Sequence, residues 1–189
     1  MTTLWLIRHG ETDWNVAGRL QGHLEVPLNE NGRQQARRLA AQLAKEEAPF
    51  AALFASDLGR AQETAAEVSA AVGLPVRTRV DLRERNFGVL SDLTLVEAEA
   101  RHPELFSRLR VRDPDFVPAG GESLAQAYAR TVAALSAIAL EWPEGHVLVV
   151  THGGIIDAAW RAANGVALDV KREFELHNAS IHKFVWSRQ

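Results

Sequence analysis

Five side chains stand where short apolar runs give way to loops: Arg8 and His9 after Thr3-Leu4-Trp5-Leu6-Ile7, Arg60 after Phe50 to Ala55, Glu84 after Val76 to Val80, and His152 after Val147 to Val150. Apolar β-prone runs of this length read as buried strands of a parallel sheet. In open α/β sheets, reacting groups collect beyond the carboxyl ends of the strands. Two arginines, two histidines and a glutamate at such positions form the set that metal-free phosphoryl transfer to a histidine needs. A neutral imidazole with one nitrogen fixed as donor to a backbone carbonyl offers the other nitrogen's lone pair for in-line attack on phosphorus. His9 is the candidate nucleophile; its plain alternative is a hydrogen-bonded loop histidine. Arg8, Arg60 and His152 would supply fixed positive charge or donors to the phosphoryl oxygens, guanidinium groups doing so bidentately. Arg60 falls in the first turn of a helix, an unfavourable place for a cation unless an anion is to be bound. Glu84 is the candidate acid–base, protonating an alkoxide leaving group and later deprotonating the attacking water.

The elements that must position these groups can be read along the chain. After the first strand, Asn29 caps a helix from about Glu30 to Glu47, with Ala36, Leu39, Ala40 and Leu43 on one face. Strand Phe50 to Ala55 leads to a helix from about Leu58 to Val72, with Ser56 or Asp57 as N-cap and Gly73 just past its end. Pro75 opens the third strand. The least regular stretch, Asp81 to Gly120, holds short helices at Thr94–Arg101 and Pro103–Arg110. Ser123-x-x-Gln126 is a capping box that opens a helix to about Leu140. Strand His146–Thr151, a helix from about Gly154 to Ala163 and an extended run Ile181–Trp186, set as an antiparallel edge, complete the chain. The expected architecture is a three-layer α/β/α sandwich, one domain over residues 1–189, with a mainly parallel sheet and helices on both faces.

The chain resembles the histidine phosphatase superfamily, in the branch of cofactor-dependent phosphoglycerate mutases and their small phosphatase relatives. The matching text is Leu6-Ile7-Arg8-His9-Gly10-Glu11-Thr12, Trp14-Asn15, Arg19-Leu20-Gln21-Gly22 and Pro27-Leu28, then Ser56-Asp57-Leu58-x-Arg60-Ala61-x-x-Thr64-Ala65. It continues with Leu82-x-Glu84-x-x-Phe87-Gly88, Gly120-Gly121-Glu122-Ser123, Val150-Thr151-His152-Gly153-Gly154 and Asn178-Ala179-Ser180. The resemblance implies substrate contacts from Thr12, Asn15, Gln21 and Gly22, and it places His152 in the phosphate pocket, where Gly153 can add a backbone N–H. One departure lies after Phe87-Gly88, where family members often carry an acidic residue and a glycine; here the chain reads Val89-Leu90-Ser91-Asp92. That loop borders the leaving-group side.

Composition excludes several classes. The chain of 189 residues has 47% hydrophobic content, enough for a substantial core. A net charge of −3 without a basic stripe argues against nucleic-acid binding. The absence of cysteine removes disulfides, thiolate zinc sites and cysteine-nucleophile chemistry. No segment reads as a signal peptide or membrane span, so the cytoplasm is the expected location. Asp113-Pro114-Asp115 lacks the strand an aspartate nucleophile needs, and Gly121-Glu122-Ser123-Leu124-Ala125 lacks the final glycine of a nucleophile elbow. No His-x-x-x-His zinc pair or P-loop is present. No metal and no cofactor are expected.

The reading is therefore a metal-independent phosphomonoesterase acting on a small phosphate monoester through a phosphohistidine at His9, as a monomer or homodimer. Phosphoglycerate mutase is the alternative, weakened by the short stretch between Glu84 and Gly120, since family mutases have more chain there. A catalytically silent binding protein on the same fold is the third reading. Arg83, Arg85 and the cluster Arg101, Arg108, Arg110 and Arg112 either read a second anionic group on the substrate or form a solvated helical face; the latter is the expectation.

Overall fold

The computed structural model describes residues 1–187. Five strands form one sheet in the order β3-β2-β4-β1-β5, with β1 at Thr2–Arg8, β2 at Phe50–Ser56, β3 at Val76–Arg79, β4 at His146–Thr151 and β5 at Ile181–Trp186. The first four run parallel, and β5 pairs antiparallel with β1 at the sheet edge.

Strand alternation divides the core in two. Leu4, Leu6, Phe54, Val147 and Val149 face α6 (Leu124–Glu141) and α7 (Gly153–Asn164), packing on Leu135, Ile138, Ile156 and Ala159. Trp5, Ile7, Leu53, Leu148 and Val150 face α2 (Glu30–Leu43) and α3 (Gly59–Val72), packing on Leu39, Leu43, Ala61, Ala65 and Val68. Each fully buried large side chain contributes about 1.5–3 kcal/mol, so both layers are firmly attached to the sheet.

This arrangement creates a crevice. The chain leaves β1 toward the α2 face but leaves β4 toward the α7 face, although the two strands are neighbours. Such a reversal opens a cleft at the carboxyl ends of the strands. Arg8 pairs in register with Thr151, so the next residues, His9 and His152, emerge side by side.

Several boundaries differ from expectation. The second helix stops at Leu43, four residues before the predicted end at Glu47. The N-cap of α3 is Leu58, with no side-chain cap bond, rather than Ser56 or Asp57. The third strand ends at Arg79, and a 3-10 turn at Val80–Leu82 intervenes, so Glu84 follows a turn rather than a strand. A short helix α1, Asp13–Val16, also forms, capped by Thr12. Between β3 and α6, helices α4 (Leu95–Arg101) and α5 (Pro103–Arg110) pack a small separate cluster around Leu90, Leu93, Ala98 and Phe116. Among the described residues, no helix is long and apolar enough to cross a membrane.

Candidate active site

His9 sits at the end of β1 with only 3% of its surface exposed. Its Nδ1 lies 2.7 Å from the Gly10 carbonyl oxygen. A carbonyl only accepts, so Nδ1 carries the hydrogen and Nε2 keeps its lone pair. Burial, reinforced by the Arg60 charge, holds the His9 pKa well below the ordinary histidine value, so the ring stays neutral near pH 7. The loop is fixed from several sides. Gly10 N–H donates to Thr64 Oγ1 at 3.0 Å, and Asn178 Nδ2 donates to the His9 carbonyl at 3.0 Å. Gly10 has no room for a side chain: a Cβ there would stand 2.5 Å from the Gly32 carbonyl oxygen on α2.

The His152 ring lies 5.2 Å from that of His9, centroid to centroid. Its Nε2 is 2.8 Å from Ser56 Oγ, at the end of β2. Ser56 is fully buried, and its hydroxyl hydrogen finds no other acceptor among the described residues, while Leu58 N–H approaches Oγ at 3.4 Å. Leaving a buried hydroxyl hydrogen unpaired is costly, so Ser56 donates to Nε2. His152 must then carry its own hydrogen on Nδ1, which is buried without a protein partner. Burial, with Arg60 and His9 nearby, pushes the His152 pKa well down. It is thus a neutral donor, and needs no second proton to hydrogen-bond an anion.

Two guanidinium groups complete the floor. Arg60 is 1% exposed and clamps the loop before α2, donating to the Gly22 and Leu24 carbonyls at 2.8 and 2.9 Å. Arg8 donates to the Leu176 carbonyl. The Nε atoms of Arg8 and Arg60 are both buried without acceptors. Desolvation lowers the pKa of each, and the Glu84 charge partly offsets it. The N-terminus of α7 opens on the same place, with Gly153 as its first residue and the Arg8 Nε 3.7 Å from where a Gly153 Cβ would be.

Glu84 is brought to this cluster by two backbone donors, Arg85 N–H at 2.8 Å and Gly154 N–H at 3.0 Å. The seat requires a glycine, because a Cβ on Gly154 would stand 2.0 Å from Glu84 Oε1. His9, Arg8, Arg60, His152 and Glu84 thus converge.

The remaining expected residues divide. Gln21 is buried with its Oε1 unpaired, and Gly22 takes φ +51° where a Cβ would crowd Phe87 and Ser91. Asn15 Oδ1 accepts from Thr12 N–H and from Asn178 Nδ2, which leaves its own amide hydrogens available. Thr12 is fully buried, and its hydroxyl is engaged with Asn15 in capping α1. Ser56, Thr64, Asn178 and Gly154 carry positions that sequence reasoning gave no such role. All four stand within the quoted motifs, which was the available signal. Arg112 also departs from the solvated face expected of it, reaching the buried Asp157 on α7 at 3.4 Å.

Comparison with known proteins gives the family. The model of the histidine phosphatase superfamily (branch 1) matches residues 4–189. The chain is 40% identical over 181 residues to phosphoglycerate mutase-like protein 4 of Arabidopsis thaliana, covering 95% of this chain and 77% of that one. It is 42% identical over 162 residues to the metal-independent phosphoserine phosphatase of Arabidopsis thaliana, covering 85% and 68%. Among solved structures, Bacillus stearothermophilus YhfR superposes with a TM-score of 0.89 at 33% identity, over 97% of this chain and 90% of that one. The chain belongs to the histidine phosphatase superfamily, branch 1.

Proposed function

We propose that this protein is a metal-independent phosphomonoesterase that works through a phosphohistidine on His9. One observation carries the reading: three buried donor nitrogens, Arg8 Nε, Arg60 Nε and His152 Nδ1, lack acceptors beside a neutral histidine whose Nε2 lone pair is free. Buried unsatisfied donors are rare unless a ligand completes them, and a phosphate supplies the oxygens that would.

In the first half-reaction, His9 Nε2 forms a bond to phosphorus as the ester P–O bond breaks, and Glu84 in its protonated form gives a proton to the departing oxygen. In the second, water attacks phosphorus, the N–P bond breaks and Glu84 takes the water's proton. Arg8, Arg60 and His152 hold the equatorial oxygens through both steps, so the positive charge comes from the protein itself. The kinship with a phosphatase named metal-independent supports that part of the proposal. Hydrolysis of p-nitrophenyl phosphate should survive dialysis against EDTA and be blocked by vanadate. His9→Ala should lower its rate at least about 10⁴-fold, because it removes the covalent route rather than one contact. A requirement for added Mg²⁺ or Zn²⁺, or a variant keeping a tenth of the activity, would overturn it.

A further inference from the structure

Glu84 stands just past the 3-10 turn Val80–Leu82, in a stretch with no regular structure of its own. Its backbone is held from elsewhere in the fold. Four consecutive carbonyl oxygens, those of Asp81, Leu82, Arg83 and Glu84, each accept a hydrogen bond from a distant side chain. Thr151 Oγ1, at the end of β4, donates to Leu82 O at 2.8 Å. Arg130, on α6, serves the other three: Nη1 donates to Asp81 O at 2.9 Å and Arg83 O at 2.8 Å, and Nη2 to Glu84 O at 3.3 Å. His23 Nε2 lies 2.7 Å from the same Glu84 carbonyl. A carbonyl only accepts, so that nitrogen carries a hydrogen.

The same guanidinium grips the far side of Glu84 through Glu122. Arg130 Nε donates to Glu122 Oε1 and Nη2 to Oε2, both at 2.9 Å. Glu122 Oε2 also accepts from Asn86 N–H at 3.0 Å, and Glu122 N–H donates to Asn86 O at 2.9 Å. All five N–H hydrogens of Arg130 are thereby used, on one carboxylate and three carbonyls around Glu84. Burial would raise the Glu122 pKa, but the bonds from Arg130 and Asn86 bring it below the ordinary value, so the pair is charged at neutral pH. With 21% and 22% of the two side chains exposed, such a pair adds little to stability by its charge alone. Its distinctive effect is geometric: it fixes residues 81–86 on both flanks of Glu84.

We infer that Arg130, together with Glu122 and His23, is the positioning device of the proton donor, setting the backbone from which the Glu84 carboxylate reaches the N–H groups of Arg85 and Gly154. The inference rests on the reading of Glu84 as the acid–base. None of the three hydrogen-bonds to the Glu84 carboxylate or to His9, so they act through Glu84 and are positioning residues. A reacting group misplaced by about 1 Å can lose on the order of 10²-fold in rate. Lysine cannot stand in for Arg130, because its ammonium has three donors at one point instead of five in a rigid fork.

The test measures two esters on each enzyme. One is p-nitrophenyl phosphate, whose leaving group needs little protonation; the other is the alkyl monoester that the wild type hydrolyses fastest from a panel of phosphorylated polyols and hydroxy acids. The ratio of their kcat/KM values does not depend on how much of a preparation is folded. In Arg130→Met and Arg130→Lys the alkyl-to-aryl ratio should fall about 10- to 100-fold. In Glu122→Gln and in His23→Ala, which keeps the ion pair, it should fall about three- to tenfold, the scale of one hydrogen bond. Equal losses on both esters in the Arg130 variants would make Arg130 merely structural and overturn the inference. If those variants do not fold, an unchanged ratio in Glu122→Gln and His23→Ala overturns it as well. A ratio that drops in Glu84→Gln but not in the other variants overturns the inference alone. A ratio unchanged in Glu84→Gln itself removes the acid–base reading and the inference with it.

Discussion

Ser56 and His152 share one buried hydrogen bond, 2.8 Å from Oγ to Nε2, and it sets which edge of the imidazole carries hydrogen. The bond joins the ends of β2 and β4, so the tautomer of the imidazole beside His9 is fixed by the neighbouring strand. Ser56→Ala should leave both tautomers accessible and lower kcat/KM about tenfold or more, the scale of weakening one pre-positioned donor. Nitrogen NMR of the wild type should show hydrogen on Nδ1 of His152, and a mixture in the variant. Hydrogen on Nε2 in the wild type would refute the assignment.

Gly154 and Glu84 are in steric balance. A methyl group at Gly154 would stand 2.0 Å from Glu84 Oε1, so Gly154→Ala must displace the carboxylate. Alanine favours helix, so the variant should remain folded. Turnover of an alkyl phosphate should fall about 10²-fold, with a much smaller loss on p-nitrophenyl phosphate, whose leaving group needs little protonation. Glu84→Gln should show the same asymmetry with a loss of about 10²–10⁴-fold on the alkyl ester. Equal losses on both esters would assign Glu84 to positioning instead of proton transfer.

The two buried histidines also link folding to pH. His9 and His152 both have pKa values well below 6.5 when folded, chiefly through desolvation. The unfolded chain takes up protons below about pH 6.5 that the native state refuses. Their contribution is therefore fully present above that pH and is lost as pH falls, by up to about 1.4 kcal/mol per unit for each histidine. Urea midpoints at pH 7.5 and 5.5 should fall more for the wild type than for a His9→Asn/His152→Asn variant. An equal fall in both would show that other groups carry the dependence.

Hydrolase and mutase readings part over the fate of the phosphoenzyme. A mutase must shield phosphohistidine from water and return the phosphoryl group. Supplied with 3-phosphoglycerate and a trace of 2,3-bisphosphoglycerate, this enzyme should release inorganic phosphate faster than it forms 2-phosphoglycerate. Isomer formation outpacing phosphate release would favour the mutase.

What was legible in the sequence is what local chemistry controls. The strand ends, the caps Asn29 and Ser123, and the left-handed glycines Gly73 and Gly165 are set by neighbours a few residues away. In the sequence Ser56 reads as a cap, because a serine between strand and helix looks the same in either role. Its actual partner, His152, lies 96 residues downstream. The Asn178 bond to the His9 carbonyl spans 169 residues and leaves no local trace. Spacing groups Arg112 with Arg101, Arg108 and Arg110, whereas a positive φ at Arg112 itself redirects it to Asp157. The capping of α1 by the Thr12 hydroxyl depends on Asn15 three residues on, a local pattern that the sequence also carries.

The most direct measurement is to trap the phosphoenzyme. Labelled substrate, mixed rapidly and quenched without acid, should leave label on His9 that is labile to acid and stable to base, the signature of a nitrogen–phosphorus bond. The label should be absent from His9→Ala. Steady turnover of the same substrate with no label on His9, or with acid-stable label on another residue, would contradict the account.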